Sequence, residues 1–262
     1  MIQNILKGLQ VYTGAYDLIS KLKLWKYFVI PMLISLVVFI LIFVTAYGLS
    51  DNLGEWIASI WTWEFGKDTF TAISTFIAGI FIFAIGLILY KHIIMALSSP
   101  FMSPVSEKIE SYFTGQPAEN YTNVTFTKQL ARSIRIGLRN LTKELIFTLP
   151  ILLLKFIPVV NIFSTALLFL VQAYYAGVSN MDYTLERHFT YKESIAFIKK
   201  HRGLAIGNGI GFLLLLFIPV IGVILVLPLS VTSASIIAVD LLFDDDEGEH
   251  IGFEPFEIIE NR

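Results

Sequence analysis

Two stretches of the chain repeat one pattern, Leu-Leu-Lys-Phe-Ile-Pro-Val-Val-Asn-Ile from Leu153 to Ile162 and Leu-Leu-Leu-Phe-Ile-Pro-Val-Ile-Gly-Val from Leu214 to Val223, each a proline dividing a long apolar run. Proline removes a helix hydrogen bond and its ring meets the preceding turn, so each run reads as two helical halves. The flanks then fix how the halves lie. Leu145 to Met181 is preceded by Lys128, Arg132, Arg135, Arg139 and Lys143 and followed by Arg187, Lys192, Lys199, Lys200 and Arg202. Basic flanks stay on the cytoplasmic side of a bilayer, so a run with such flanks at both ends enters and leaves on that side. Two full spans need about 40 apolar residues plus a turn. This run is shorter, with Pro150, Lys155 and Pro158 in its first half. The expectation is a partly inserted helical hairpin over 145–181, and a second over 204–243 with breaks at Pro219 and Pro228, for which two short spans are the alternative.

Apolar residues make up 55% of the chain and charged residues 15%, against roughly 25% charged in soluble domains. The chain reads as an all-α integral membrane protein with a single membrane domain. Tyr27 to Ser50 and Thr69 to Ser99 are apolar and long enough for transmembrane helices. Between them Asp51 to Asp68 is acidic apart from Lys67 and carries Trp56, Trp61 and Trp63. This loop is expected outside, with both termini and the other loops in the cytoplasm. Residues 1–26 do not read as a signal peptide. Ile2, Ile5, Leu6, Leu9, Leu18, Ile19 and Leu22 recur there at helical spacing, which predicts an amphipathic helix lying in the interface. Residues 100–144 read as a cytoplasmic helical segment and 244–262 as an acidic tail, whose sign would let it fold back on the basic helices.

Arg132, Arg135, Arg139 and Lys143 fall at steps of three, four and four, along one face of a helix predicted over about 127–148. Such a face is either a juxtamembrane flank touching acidic headgroups or a guide for anions. Lys155 stands inside an apolar half-helix, where a charge marks a functional site unless its stem snorkels to water. Glu144 and Asp240 are its nearest plausible counter-charges. Pro100 is expected to end the second span, with Ser103 capping a new helix that opens at Pro104. Gly207 and Gly211 form a Gly-xxx-Gly pair suited to close helix approach. The absence of cysteine removes disulfides and thiolate chemistry, and His92, His188, His201 and His250 lack metal-ligand spacing. No metal, cofactor or nucleic-acid partner is expected, and no nucleophile–base pairing that would mark an enzyme can be read.

These motifs together resemble the CysZ family of bacterial sulfate permeases, within a wider group that includes the etoposide-induced membrane proteins. The resemblance rests on Pro100-Phe101 with Glu107-Lys108-Ile109-Glu110, on Ile157-Pro158-Val159-Val160-Asn161, on Asp182-Tyr183 with His188, on Lys199 to Gly203, and on Ile218-Pro219 through Leu227-Pro228. It implies two long transmembrane helices, two partly inserted hairpins, a homo-oligomer in the bacterial inner membrane, and a channel-like path for sulfate. The family's anion site is similar to Lys23-Leu24-Trp25-Lys26 here, with Lys23 where the family has glycine and Trp25 where it has arginine. The resemblance then implies Lys23, Leu24 and Lys26 at the anion entry, and Glu107 with Arg135, Arg139 and Lys143 as a charged network at the mouth. The reading from another class is a scaffold without transport, whose one-sided hairpins and basic face act on the lipid bilayer.

Overall fold

The computed structural model describes residues 1–61, 66–115, 125–154, 157, 160–218 and 221–247. These form eight α-helices and no strand: α1 (Ile2–Lys21), α2 (Trp25–Ala58), α3 (Lys67–Thr114), α4 (Phe126–Leu154), α5 (Val160–Leu185), α6 (Tyr191–Lys200), α7 (Arg202–Leu216) and α8 (Ile221–Glu247). Helix α4 ends at Leu154 before α5 begins at Val160, and α7 ends at Leu216 before α8 begins at Ile221. The arms of each broken run pack on one another. Lys155, Pro158, Pro219, Trp63 and the tail beyond Glu247 lie outside the described residues.

The other prolines do not interrupt their helices. Pro100 and Pro104 sit inside α3, Pro150 inside α4 and Pro228 inside α8. The break expected at Pro100, the fresh start at Ser103 and the division at Pro228 therefore do not form. A proline inside a helix forfeits a hydrogen bond, but here packing on both sides holds the rod together. Met102, Val105 and Ile109 are fully buried in the main core, and Ser99, Ser103 and Ser106 face neighbouring helices. Hydropathy likewise misplaced the end of α2. The helix continues past Ser50 to Ala58, because polar residues end the apolar span without breaking the hydrogen-bond ladder.

Among the described residues four segments are long and apolar enough to cross a membrane: α2, α3, α5 and Ile221–Phe243 of α8. Helices α2 and α3 pair over most of their length, with Ile42 set against Gly86 and Ser35 bonded to Tyr90. Their outer faces leave Leu33, Leu41, Phe43, Phe76 and Phe81 exposed, the pattern of helices solvated by lipid. The core lies elsewhere. Every residue from Tyr175 to Glu186 is buried, because α5 is enclosed by α3, α4, α7 and α8.

Small residues let α7 sit between two helices at backbone contact. One of its sides sets Gly203, Gly207 and Gly211 against Asn4, Gly8 and Tyr12 of α1, and the other sets Ala205 and Gly209 against Gly177 and Ala173 of α5. The Gly207/Gly211 pair thus performs the close approach its spacing predicts, and its partner is the N-terminal helix.

Candidate anion site and the buried charge network

Helix α1 ends and α2 begins through one tight turn. Leu24 N–H donates to the Ile19 carbonyl at 2.9 Å and Lys23 N–H to that of Ser20 at 3.2 Å. This is a Schellman closure, and the apolar contact that accompanies it joins Ile19 and Leu24, both fully buried. Such a closure needs its penultimate residue in the left-handed region, and Lys23 has φ 54°. The conformation costs an L-residue about 1–2 kcal/mol and glycine almost nothing. Lys23→Gly is therefore expected to stabilise the protein by about 1 kcal/mol, read as a higher Tm in detergent; an unchanged or lower Tm contradicts this reading of the turn.

The turn gathers cations. The Lys26 ammonium lies 5.1 Å from the Tyr27 ring centroid and that of Lys108 lies 5.7 Å from the same ring. Lys21 Nζ donates to the Tyr112 hydroxyl at 2.9 Å. Lys21, Lys23, Lys26 and Lys108 are all exposed, so the junction and the Glu107–Glu110 turn of α3 form one basic patch at the N-terminus of α2. Leu24 does not belong to its binding surface: the side chain is buried and both backbone polar groups are committed within the turn. Its part is to anchor the turn.

The basic face of α4 is a second, separate feature, because α4 packs on α3 and α5. Its four cations do not act alike. Arg132 forks onto Asp182 at 2.8 and 3.0 Å and also donates to the Phe189 carbonyl at 2.8 Å. The Arg135 guanidinium stacks 4.4 Å from the Tyr191 ring centroid, Arg139 donates to Asn140 Oδ1 at 2.9 Å, and Lys143 is exposed. At the end of α3 the ion pairs run through Glu110. Its carboxylate accepts from Arg187 at 2.6 Å and lies 2.7 Å from His188 Nε2, while half-buried Glu107 occupies the preceding turn.

Glu186 stands between these pairs, buried, accepting from Ser103, with its Oε2 atom unpartnered. Burial pushes its carboxyl up to about 7; the Ser103 hydrogen bond opposes that shift, the charge of Asp182 adds to it, and Arg132 and Arg187 oppose it. The folded protein holds this proton to higher pH than an unfolded chain does, so the associated stability is complete below about pH 4.5 and is lost as pH rises through 7. Glu186→Gln is expected to flatten the fall in Tm between pH 5 and pH 8, by up to about 3 kcal/mol at the alkaline end. A variant with the parent's pH profile contradicts the assignment.

Deeper in the bundle, Lys91 Nζ donates to Glu144 at 2.7 Å, and His92 Nε2 lies 3.2 Å from the other oxygen of that carboxylate, all three groups being buried. Glu144 is thus engaged by α3. Asp240, the other counter-charge proposed for Lys155, lies 3.8 Å from Lys7. Asn180, Asn208 and the Ser230 carbonyl are linked at 2.9 Å each, and the Tyr12 hydroxyl donates to the Asn208 carbonyl at 2.6 Å. Sequence reasoning missed Lys91, Asn180, Asn208 and Glu186 as partners and offered Glu144 to Lys155, whereas its partner is Lys91. The available signal was their polarity within apolar helices, which demands internal hydrogen bonds in lipid. Among the described residues no group of three or more metal-ligating side chains could hold a metal ion.

The fold and its polar interior define an all-α integral membrane protein with a basic patch at one helix junction and a buried ionic network. Residues 12–228 match the family model described as Sulfate transporter CysZ/Etoposide-induced protein 2.4, and the chain belongs to that family. It is 28% identical over 157 residues to a protein named Sulfate transporter CysZ from Pseudomonas aeruginosa strain LESB58, covering 58% of this chain and 61% of that one. The chain thus matches only about three fifths of that relative's length. A protein of the same name from Pseudomonas fluorescens strain Pf0-1 is 24% identical over 240 residues, covering 88% of this chain and 92% of that one.

Proposed function

We propose that the chain is a bacterial inner-membrane permease for a small inorganic oxyanion, sulfate by its kinship, acting without catalysis. The observation that carries this reading is the lysine patch at the α1–α2 junction, which coincides with the family's anion-site segment and stands at a helix N-terminus. Free N–H groups and the helix dipole favour negative charge there, and Lys23 and Lys26 supply it with countercharge. In this reading Arg135, Arg139 and Lys143 form the charged mouth farther along the path, Glu107 belongs instead with the lysine patch beside Lys108, and the helix breaks shape the pore.

The hairpin reading is supported by one short arm in each run, while the other arms, α5 and Ile221–Phe243 of α8, are long enough to cross. Helix α7 has 15 residues, about 22 Å at 1.5 Å per residue, against a hydrocarbon core of about 30 Å. The apolar part of α4 is shorter still. Each hairpin then enters from the cytoplasmic side, where both termini lie, and its exposed apolar tip at Phe163 or Phe217 rests in lipid or against another subunit of a homo-oligomer. The test is uptake of labelled sulfate, thiosulfate, phosphate and chloride into proteoliposomes. Sulfate flux that drops severalfold in Lys26→Ala and Arg139→Ala is the expected result. Absence of flux for every anion, with the parent and both variants alike, favours the scaffold reading instead.

A further inference from the structure

Helices α3, α4 and α5 meet around a cavity of about 10 Å³, whose lining includes His92 and Met95 of α3, Ser133 of α4, and Ser179, Asp182 and Tyr183 of α5. A single water needs about 10–15 Å³ of such space, so a larger ligand does not fit. One wall is unusual. His92 is buried, and among the described residues its Nδ1 atom has no hydrogen-bond partner. A buried polar atom in a native fold is normally paired, with protein or with ordered water.

The other ring nitrogen fixes the role of Nδ1. Nε2 lies 3.2 Å from one oxygen of Glu144, whose other oxygen accepts from Lys91 at 2.7 Å. A carboxylate only accepts, so Nε2 carries the hydrogen. Lys91 already balances the Glu144 charge, and a second cation in this apolar interior would be uncompensated. The ring is therefore neutral, and Nδ1 is an acceptor. Turning the ring over would set carbon against Glu144 and give up that bond.

Nδ1 thus needs a donor, and the hydroxyls around the cavity are committed. Ser133 donates to Ser99, Ser179 to the Tyr175 carbonyl at 3.3 Å, and Tyr183 to the Met95 carbonyl at 2.6 Å. An acceptor is still open. Asp182 takes two hydrogen bonds from Arg132 and one from Ser194, which leaves one of the roughly four lone-pair sites of a carboxylate. A molecule that donates twice meets both needs, and at this volume that molecule is water. An ammonium ion would bring a charge to a carboxylate that Arg132 already balances.

We propose that this cavity is the binding site of one structural water, which donates to His92 Nδ1 and to Asp182. The water joins the Lys91–Glu144–His92 group to the Arg132–Asp182 pair, so that hydrogen bonds run unbroken from α3 through α5 to α4. It also holds the His92 ring in the tautomer and orientation that serve Glu144.

The test is a structure of the full chain, by crystallography or electron cryomicroscopy, at a resolution that shows ordered water, together with nitrogen-15 NMR of the histidine-labelled protein. The expected map has a peak within hydrogen-bond distance of both His92 Nδ1 and the Asp182 carboxylate. The expected spectrum has a protonated Nε2 and a bare, hydrogen-bonded Nδ1 that receives magnetisation from water, in the signal that disappears in His92→Gln. Should that variant fail to fold, the map decides alone. A cavity without a peak in a map that shows other buried waters overturns the proposal. So does a proton on Nδ1, or a peak with the short, many-sided contacts of a cation.

Discussion

Glu110→Ala is expected to destabilise the protein by about 3–5 kcal/mol, the cost of leaving a buried cation without its partner. The carboxylate is fully buried and ties two residues of the α5–α6 connection to α3: Arg187, itself 5% exposed, and His188. Removing it leaves the Arg187 guanidinium in a dry site with only the Ser106 hydroxyl and the Tyr183 carbonyl as acceptors. Those two acceptors are neutral, and Glu186, the other carboxyl that feels Arg187, has its charge disfavoured by burial. Arg187→Ala should cost a comparable amount, for the mirror reason, and the double variant should cost much less than the sum. Thermal unfolding of the four proteins in one detergent measures the cycle. Additive losses would mean that the two groups contribute independently, contrary to the geometry.

Gly209→Val is expected to give no folded protein, and even Gly209→Ala should cost about 1–3 kcal/mol or more, the usual penalty of overpacking. The obstacle is backbone, not side chain: a Cβ at this position overlaps the Ala173 carbonyl of α5. No rotamer change can relieve that clash, so α5 and α7 must separate. Gly177→Ala meets the Ala205 carbonyl in the same way from the opposite helix. Gly48→Ala is the control, since nothing lies within 4 Å of its added Cβ. It should be neutral or gain up to about 1 kcal/mol from helix propensity. Yield of monodisperse protein after extraction reads all of these variants, and a well-behaved Gly209→Val would refute the close approach.

Local pattern carried much of this fold in advance. Apolar runs longer than a bilayer and Gly-xxx-Gly spacing are properties of contiguous sequence, and each corresponds to a feature of the helices. The prolines show where such reasoning stops. Pro100, Pro104, Pro150 and Pro228 are carried through their helices, and local sequence does not announce it. What holds them is the packing around each residue, and that depends on distant parts of the chain. Pairing within the charge network was equally hidden. Glu110 and Arg187 are separated by 77 residues, Lys91 and Glu144 by 53, and no periodicity spans such intervals. The even spacing on α4 suggested one function for four cations, yet Arg132 turned out to be bound to an aspartate supplied by α5.

The contact between α1 and α7 has a consequence for how the molecule is made. Tyr12 bonds to a residue 196 positions later. At synthesis rates of about 5–20 residues per second, roughly 10–40 s pass between the emergence of α1 and that of the glycine face it docks on. Throughout that interval the first helix has no α7 to close upon, and a stripe carrying Val11, Leu18 and Ile19 needs another apolar surface. The Gly8–Gly207 approach and the Tyr12–Asn208 bond therefore close only after α7 has been made, late in the synthesis of the chain.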